Sequence, residues 1–124
     1  MGFLIVFLGA GLGGMARHGL GLVMLRALGP GFPWGTLLIN IVGSGLMGLI
    51  VTIFAFLHVG HPETRLFLTT GVLGGFTTFS TFSLDAVALW QRGQHGMAAL
   101  YVAASIAVSL AALAGAMVLI RRLA

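Results

Sequence analysis

The sequence of 124 residues contains no cysteine and no lysine, and its only acidic residues are Glu63 and Asp85. Without cysteine there is neither a disulfide nor a thiolate for redox or nucleophilic chemistry. Charged residues make up 6% of the chain, whereas soluble domains carry about 25%. So few charges cannot cover a water-soluble fold, and we expect lipid to be the solvent for most of the surface.

The near absence of acidic residues also explains the sequence pI of about 11.7. The six arginines are scattered along the chain, as Arg17, Arg26, Arg65, Arg92, Arg121 and Arg122. A nucleic-acid-binding protein presents a clustered basic face, so we expect no nucleic-acid partner. No phosphate-binding GxxxxGK[ST] motif and no convincing nucleophile–base or metal set is present, and we therefore expect no enzyme.

Apolar residues make up 59% of the chain and fall into four long stretches that contain no charge except Arg17 and Asp85. A helix needs about 20 residues to cross a hydrocarbon core of about 30 Å. The four stretches cover about 2–25, 34–57, 66–91 and 97–120. Because short turns join them, we predict an all-α, multi-pass membrane protein with one domain over residues 1–124.

Loop arginines show almost no asymmetry between the two sides of this predicted bundle. Arg65, Arg121 and Arg122 fall on one side, and Arg26 and Arg92 fall on the other. Orientation normally follows the positive charges of the loops. Such a chain can insert both ways and form an antiparallel, dual-topology homodimer, although a fixed orientation set by the first helix or by lipids remains open.

Small residues recur four apart in the predicted helices and favour close helix packing. The pairs are Gly9/Gly13, Gly71/Gly75, Ser44/Gly48 and Ala111/Gly115. These pairs indicate packing and carry no information about transport.

The third stretch combines glycines with hydroxyls. Three glycines lie within residues 71–75, and five Ser or Thr residues lie within 77–83. Glycine weakens a helix, and Ser and Thr side chains compete for backbone hydrogen bonds. We predict a helix broken near Gly74–Thr78, at mid-membrane depth, where freed carbonyls can hold a cation and the next helix start favours an anion. A kinked packing helix is the alternative.

Two further helices carry polar stripes at a spacing of four residues, which places each stripe on one helix face. Thr36, Asn40, Ser44 and Gly48 form the stripe of the second helix. Tyr101, Ser105 and Ser109 form that of the fourth. Each stripe fits either hydrogen bonds between helices or the lining of a pore.

Phe76, Phe79 and Phe82 lie among the hydroxyls of the third stretch. A phenylalanine in a membrane protein usually faces lipid or packs in the core, but its positive ring edge can also face an anion. Arg17 and Asp85, both inside spans, either neutralise each other or line a water-filled vestibule.

Two segments resemble the CrcB/Fluc family of small fluoride channels: GTLLINIVG at 35–43 and GGFTTFSTFS at 74–83. Gly13 and Gly14 with Arg17, and the hydroxyl stripe of the fourth helix, fit the same family. The similarity covers essentially the whole chain, and the TTFSTF run is its most specific part.

The resemblance implies an antiparallel dimer with two fluoride pathways in a bacterial plasma membrane. It implies ring edges from Phe79 and Phe82, an amide donor from Asn40, hydroxyls from Ser80 and Thr81, and a polar track of Tyr101, Ser105 and Ser109. It also implies a central Na⁺ held by main-chain carbonyls of both subunits, and the matching positions are Gly74 and Thr77.

Two positions depart from the family pattern, and two other functions compete with the channel. His18 follows Arg17 where an aromatic residue is usual, and Asp85 stands where Glu is common. A small multidrug-type cation/proton antiporter needs a carboxylate in the first helix, and this helix has none. A structural membrane subunit would leave the hydroxyl run unexplained, so passive fluoride conduction is the expectation.

Overall fold

The computed structural model describes all 124 residues and is all-helical. Its helical segments long and apolar enough to cross a membrane are Gly2–Leu28, Trp34–Leu57, Pro62–Gln91 and His95–Leu123. The four predicted spans are confirmed. Three of them are longer than the predicted stretches, because the helices continue through the flanking polar residues.

Helix α1 (Gly2–Leu28) and helix α2 (Trp34–Leu57) end in left-handed residues. Gly29, with φ 78°, donates its amide to the Leu25 carbonyl at 2.8 Å. His58, with φ 48°, ends α2. A left-handed residue after the last turn stops a helix, and it does so here at both turns.

The third span is composite. It begins with α3 (Pro62–Leu66), continues as a π-helical segment (Phe67–Leu73) and α4 (Gly74–Phe76), and resumes as α5 (Phe79–Gln91). Between α4 and α5, Thr77 (φ −79°, ψ 155°) and Thr78 (φ −150°, ψ 118°) have extended backbone.

Helix α6 (His95–Leu123) completes the fold. A functional break of the third span at mid-membrane depth stays a prediction, and so does the antiparallel dimer.

Helix α1 packs backbone to backbone against the third span. A Cβ at Gly9 would lie 2.7 Å from the Phe67 carbonyl oxygen and 2.8 Å from the Gly71 Cα. A Cβ at Gly75 would overlap the backbone of Ala10. The two predicted GxxxG pairs therefore pack against each other, as such pairs do in membranes.

Helices α2 and α6 are in close contact as well, through a different set of small residues. A Cβ at Gly48 would overlap the Leu113 carbonyl, and one at Gly45 would lie 3.7 Å from Ala112 Cβ. A Cβ at Gly115 would have no neighbour within 4 Å, so Gly115 takes no part in the contact between α2 and α6 within the chain. The helices meet half a turn earlier along α6, where a backbone carbonyl is the contact.

Buried residues are few, and one cluster of buried apolar residues lies at one end of the bundle. It consists of Phe32, Leu89, Ala98 and Tyr101. Many large apolar side chains point outward, and Phe3 is 96% exposed. An outward apolar surface is expected for a chain whose solvent is lipid, since lipid supplies no hydrophobic drive to bury it.

We expect Gly13→Ala to destabilise the protein by about 1–3 kcal/mol, the usual range for overpacking. The new Cβ would overlap the Val72 carbonyl and lie 2.8 Å from the Phe76 amide. Gly11→Ala is the matched control, because no atom lies within 4 Å of its Cβ position. Thermal loss of the monodisperse size-exclusion peak measures both, and equal midpoints would contradict the packing described.

Candidate functional site

Asn40 on α2 holds the extended residues of the third span. Its Oδ1 accepts a hydrogen bond from the Thr78 amide at 2.9 Å, and its Nδ2 donates to the Thr78 carbonyl at 3.1 Å. A side-chain amide is one of the few groups that can satisfy both backbone groups of one residue. Asn40 therefore binds Thr78 in both directions and retains one further N–H.

Helix α5 begins at Thr78, whose hydroxyl caps it. The Thr78 Oγ1 accepts from the Thr81 amide at 3.2 Å and donates to the Thr81 hydroxyl at 3.1 Å. Ser80 Oγ lies 3.4 Å from the same Thr78 oxygen. Threonine is a favoured N-cap because its oxygen satisfies an otherwise unpaired amide of the first turn.

These contacts release two main-chain carbonyls. In a regular helix the Thr78 amide would donate to Gly74, and the Thr81 amide would donate to Thr77. Here both amides donate to side chains instead. The carbonyls of Gly74 and Thr77 are thus free for another partner, and unwound carbonyls of this kind are the ligands that Na⁺ takes in interrupted membrane helices.

A cavity of about 250 Å³ lies beside the extended residues. Its lining is Asn40, Ser44, Thr77, Thr78, Phe79, Phe82, Ser105, Ile106 and Ser109. The lining contains no charged side chain. It therefore brings together one amide, five hydroxyls and two aromatic rings from α2, the third span and α6.

Two of these hydroxyls, Ser105 Oγ and Ser109 Oγ, are buried and have no hydrogen-bond partner in the chain. Hydrogen bonds between helices, the alternative explanation for this stripe, do not account for either residue. Because a buried polar group without a partner is costly, these hydroxyls are positioned to bind something that enters the cavity.

Tyr101, the third member of the stripe, behaves differently. Its hydroxyl donates to Asp85 Oδ2 at 3.1 Å, and its ring packs in the buried core with Phe32. It lies outside the lining of this cavity. The predicted track therefore consists of two free hydroxyls and one that is already paired.

Phe79 and Phe82 both line the cavity, with ring centroids 5.6 Å apart. Phe79 is 78% exposed, whereas Phe82 is half-buried and lies 5.3 Å from the Tyr101 ring. Phe76, the third of the series, is buried next to Gly43. The structure thus separates one packing ring from two cavity rings.

A second, larger cavity of about 380 Å³ opens near the turn between α1 and α2. Its charged and titratable lining residues are Arg17, His18, Asp85 and Arg92. Arg17 Nε donates to the Gly75 carbonyl at 3.3 Å, while Asp85 accepts from a tyrosine. Arg17 and Asp85 therefore line one cavity while each bonds to another partner, and their role at a vestibule stays a prediction.

Thr78 is the residue that the two cavities share, and Thr81 lines the larger one. Ser80 lies in neither lining and is exposed.

Sequence reasoning gave no site role to Thr78. The signal was available, because a threonine directly before an apolar residue, here Phe79, is a typical N-cap at a helix start.

Four apolar spans, three of which enclose an uncharged polar cavity, define a small multi-pass membrane protein. The chain belongs to the CrcB family: the family model described as "CrcB-like protein, Camphor Resistance (CrcB)" matches residues 4–117. The family consists of ion channels and not of enzymes, and the chain is a multi-pass bacterial membrane protein.

Several curated relatives are similar to the chain over nearly its whole length. A protein of Rhodopseudomonas palustris is 53% identical over 121 residues, covering 98% of each chain. One of Granulibacter bethesdensis is 54% identical over 124 residues, covering 99% of this chain and 97% of its own. One of Agrobacterium fabrum is 51% identical over 119 residues, covering 96% and 95%. All three are named fluoride-specific ion channel FluC.

Proposed function

We propose that this protein is a passive, fluoride-selective channel that lets fluoride leave the cytoplasm. The observation that carries the proposal is the pair of unpaired hydroxyls, Ser105 and Ser109, in a cavity edged by Phe79 and Phe82. The relatives named as fluoride-specific channels support the identity of the ion.

The chemistry of the cavity suits a small anion in transit. Hydroxyl and amide hydrogens and aromatic ring edges carry only partial positive charge. Conduction requires binding that is favourable enough for entry and weak enough for release. A ring of arginines would hold the anion, whereas the uncharged lining found here binds and releases it.

The larger cavity supplies the electrostatic attraction at the entrance. Arg17 and Arg92 face one carboxylate, that of Asp85, so the lining has an excess of positive charge. A cleft with charge of one sign raises the local concentration of the opposite ion. Thr78 then connects this vestibule to the smaller cavity beyond it.

An antiporter of the small multidrug type is disfavoured by the placement of the acids. Helix α1 contains Arg17 and no carboxylate, and Asp85 on α5 is hydrogen-bonded to Tyr101. Passive export also fits the chemistry of the solute. HF crosses a membrane uncharged and ionises at cytoplasmic pH, so the cell needs a path that lets the trapped anion leave.

We also propose that two copies assemble as an antiparallel homodimer with two pathways. One chain leaves Phe79 78% exposed at the cavity mouth, in line with a site that a second copy completes. The near-balanced loop arginines permit the two insertions that such a dimer needs.

Within that dimer, we propose a Na⁺ ion on the two-fold axis, held by the main-chain carbonyls of Gly74 and Thr77. The hydrogen bonds that release these carbonyls support the assignment. One chain supplies two ligands, and the second copy would supply the other two. The ion would neutralise carbonyl dipoles that face each other at the interruption, and would thereby stabilise the pair.

Phe79→Ile and Phe82→Ile should lower fluoride flux by orders of magnitude while leaving assembly intact. Each change keeps an apolar side chain but removes the positive ring edge. Phe3→Ile is the control, since Phe3 is 96% exposed and does not line the cavity. Fluoride efflux from liposomes with a K⁺ shunt, with chloride as the competing anion, measures the effect.

The pore assignment fails if both cavity variants keep wild-type flux per folded protein. Wild-type protein that releases chloride as readily as fluoride would end the proposal of fluoride selectivity.

Single cysteines placed at 30 and 31, in the turn between α1 and α2, should react with a membrane-impermeant reagent from both sides of the membrane. The chain has no native cysteine, so each engineered thiol reports alone. The expected result is about half of the label from each side, because balanced charges give no preferred orientation. Labelling from one side only would contradict dual topology.

Replacing Na⁺ on both sides of the membrane with a large organic cation should lower the fluoride flux or the thermal midpoint of the dimer. The reason is that the carbonyls of Gly74 and Thr77 would lose the ion that bridges the two subunits. Returning Na⁺ should restore both quantities. If flux and midpoint stay unchanged in the organic cation, the interruption has another purpose.

A further inference from the structure

A third cavity, of about 560 Å³, lies at the other end of the spans, under the turn between α2 and α3. Its lining is Phe54, His58, Val59, Gly60, His61, Pro62, Arg65, Leu66, Thr69 and Thr70. None of these residues lines either of the two cavities that form the proposed fluoride path. The channel function therefore leaves this cavity unexplained.

The polar part of the lining consists of basic and hydroxyl groups. His58, His61 and Arg65 are the basic residues, and no carboxylate lines the cavity. Glu63, the acidic residue of this turn, is exposed and outside the lining. A cavity with cationic and neutral donors and no carboxylate selects an anion with several oxygen acceptors.

Hydrogen bonds to the backbone link His61, Arg65 and Thr69 in sequence along the start of the third span. His61 precedes the first turn of α3, and its carbonyl accepts the Arg65 amide at 3.1 Å. Thr69 Oγ1 in turn donates to the Arg65 carbonyl at 2.8 Å. Residues 61, 65 and 69 are four apart and lie on one face of the span, and His58, which ends α2, lines the same cavity.

The three basic side chains are available for a ligand. None of them takes part in any side-chain hydrogen bond of the chain. An arginine guanidinium matches the oxygens of a phosphate in a bidentate contact. A histidine ring donates at least one N–H whether it is neutral or charged.

The position of the cavity favours a lipid headgroup over free phosphate as its ligand. Helix α2 ends at Leu57 and α3 begins at Pro62, so the cavity lies where two spans leave the hydrocarbon core. Phe54 and Leu66 form its apolar side, towards the core. A headgroup phosphate and the first carbons of an acyl chain would fill the two sides together, whereas free phosphate would leave the apolar side in contact with water.

The same membrane face carries further positive charge. Arg121 and Arg122 end α6 on this side, and the Arg121 guanidinium carbon lies 5.7 Å from the centroid of the Phe56 ring. Clustered arginines at a membrane surface attract anionic lipids over neutral ones. We propose that the cavity under the α2–α3 turn binds the phosphodiester headgroup of an anionic phospholipid, with Arg65 as its main ligand and His58 and His61 beside it.

The test is lipid binding by the full chain, measured by native mass spectrometry with dioctanoyl phosphatidylglycerol and dioctanoyl phosphatidylcholine as probes. Wild-type protein should bind phosphatidylglycerol more tightly than phosphatidylcholine. Arg65→Gln should weaken binding of phosphatidylglycerol about tenfold, the effect expected from losing a charge-assisted contact. His58→Gln combined with His61→Gln should weaken it by a smaller factor.

Arg122→Gln is the matched control, because it removes the same charge from the same membrane face and lies outside the cavity. Its binding should stay within about twofold of wild type, since distant surface charge is screened. Equal loss in Arg65→Gln and Arg122→Gln would show general surface attraction and overturn the site.

Two further outcomes would also overturn the proposal. Equal affinity of the wild type for the two lipids would remove the preference for anionic headgroups. Displacement of phosphatidylglycerol by millimolar inorganic phosphate would assign the cavity to free phosphate instead. Size-exclusion profiles of all variants exclude unfolding as the cause, and none of these readouts depends on fluoride flux.

Discussion

Backbone hydrogen bonding in lipid is the constraint on which the rest of this structure depends. A polar backbone group left unpaired in a bilayer costs several kcal/mol, because no water is present to satisfy it. The third span nevertheless has extended backbone at Thr77 and Thr78. Asn40 makes this possible, since its amide pairs with both the N–H and the carbonyl of Thr78. These two bonds replace the helical hydrogen bond that the Thr78 amide would otherwise make to the Gly74 carbonyl.

Close backbone contact with α1 also holds the third span in place. Gly9 and Gly13 on α1 lie against the third span with no space for a Cβ. The contact brings Arg17 to the Gly75 carbonyl, one turn from the extended residues. Arginine inside a span needs such a partner. Packing of small residues therefore also positions the charge that lines the larger cavity.

The division of polar groups between satisfied and free indicates where a solute can bind. The Asn40 side chain and the Thr78 hydroxyl bond to backbone groups of the third span, and the Tyr101 hydroxyl donates to Asp85. The hydroxyls of Ser105 and Ser109 make no hydrogen bond within the chain. A stripe that looks uniform in sequence thus contains both structural and available donors, and only the available ones can replace the water around an anion.

Composition and periodicity alone determined that the chain is a membrane protein with four spans, that its GxxxG pairs pack closely, and that Asn40 lies on a polar face of the second helix. These properties follow from local rules: apolar length, spacing along a helix and the cost of charge in lipid. Only the tertiary structure decided that Asn40 bonds to Thr78, that Ser105 and Ser109 are unpaired while Tyr101 is not, and that Gly115 has no packing partner within the chain. The physical reason is that hydrogen-bond pairing and close contact depend on the rotation and depth of one helix against another, which no spacing within a single helix specifies.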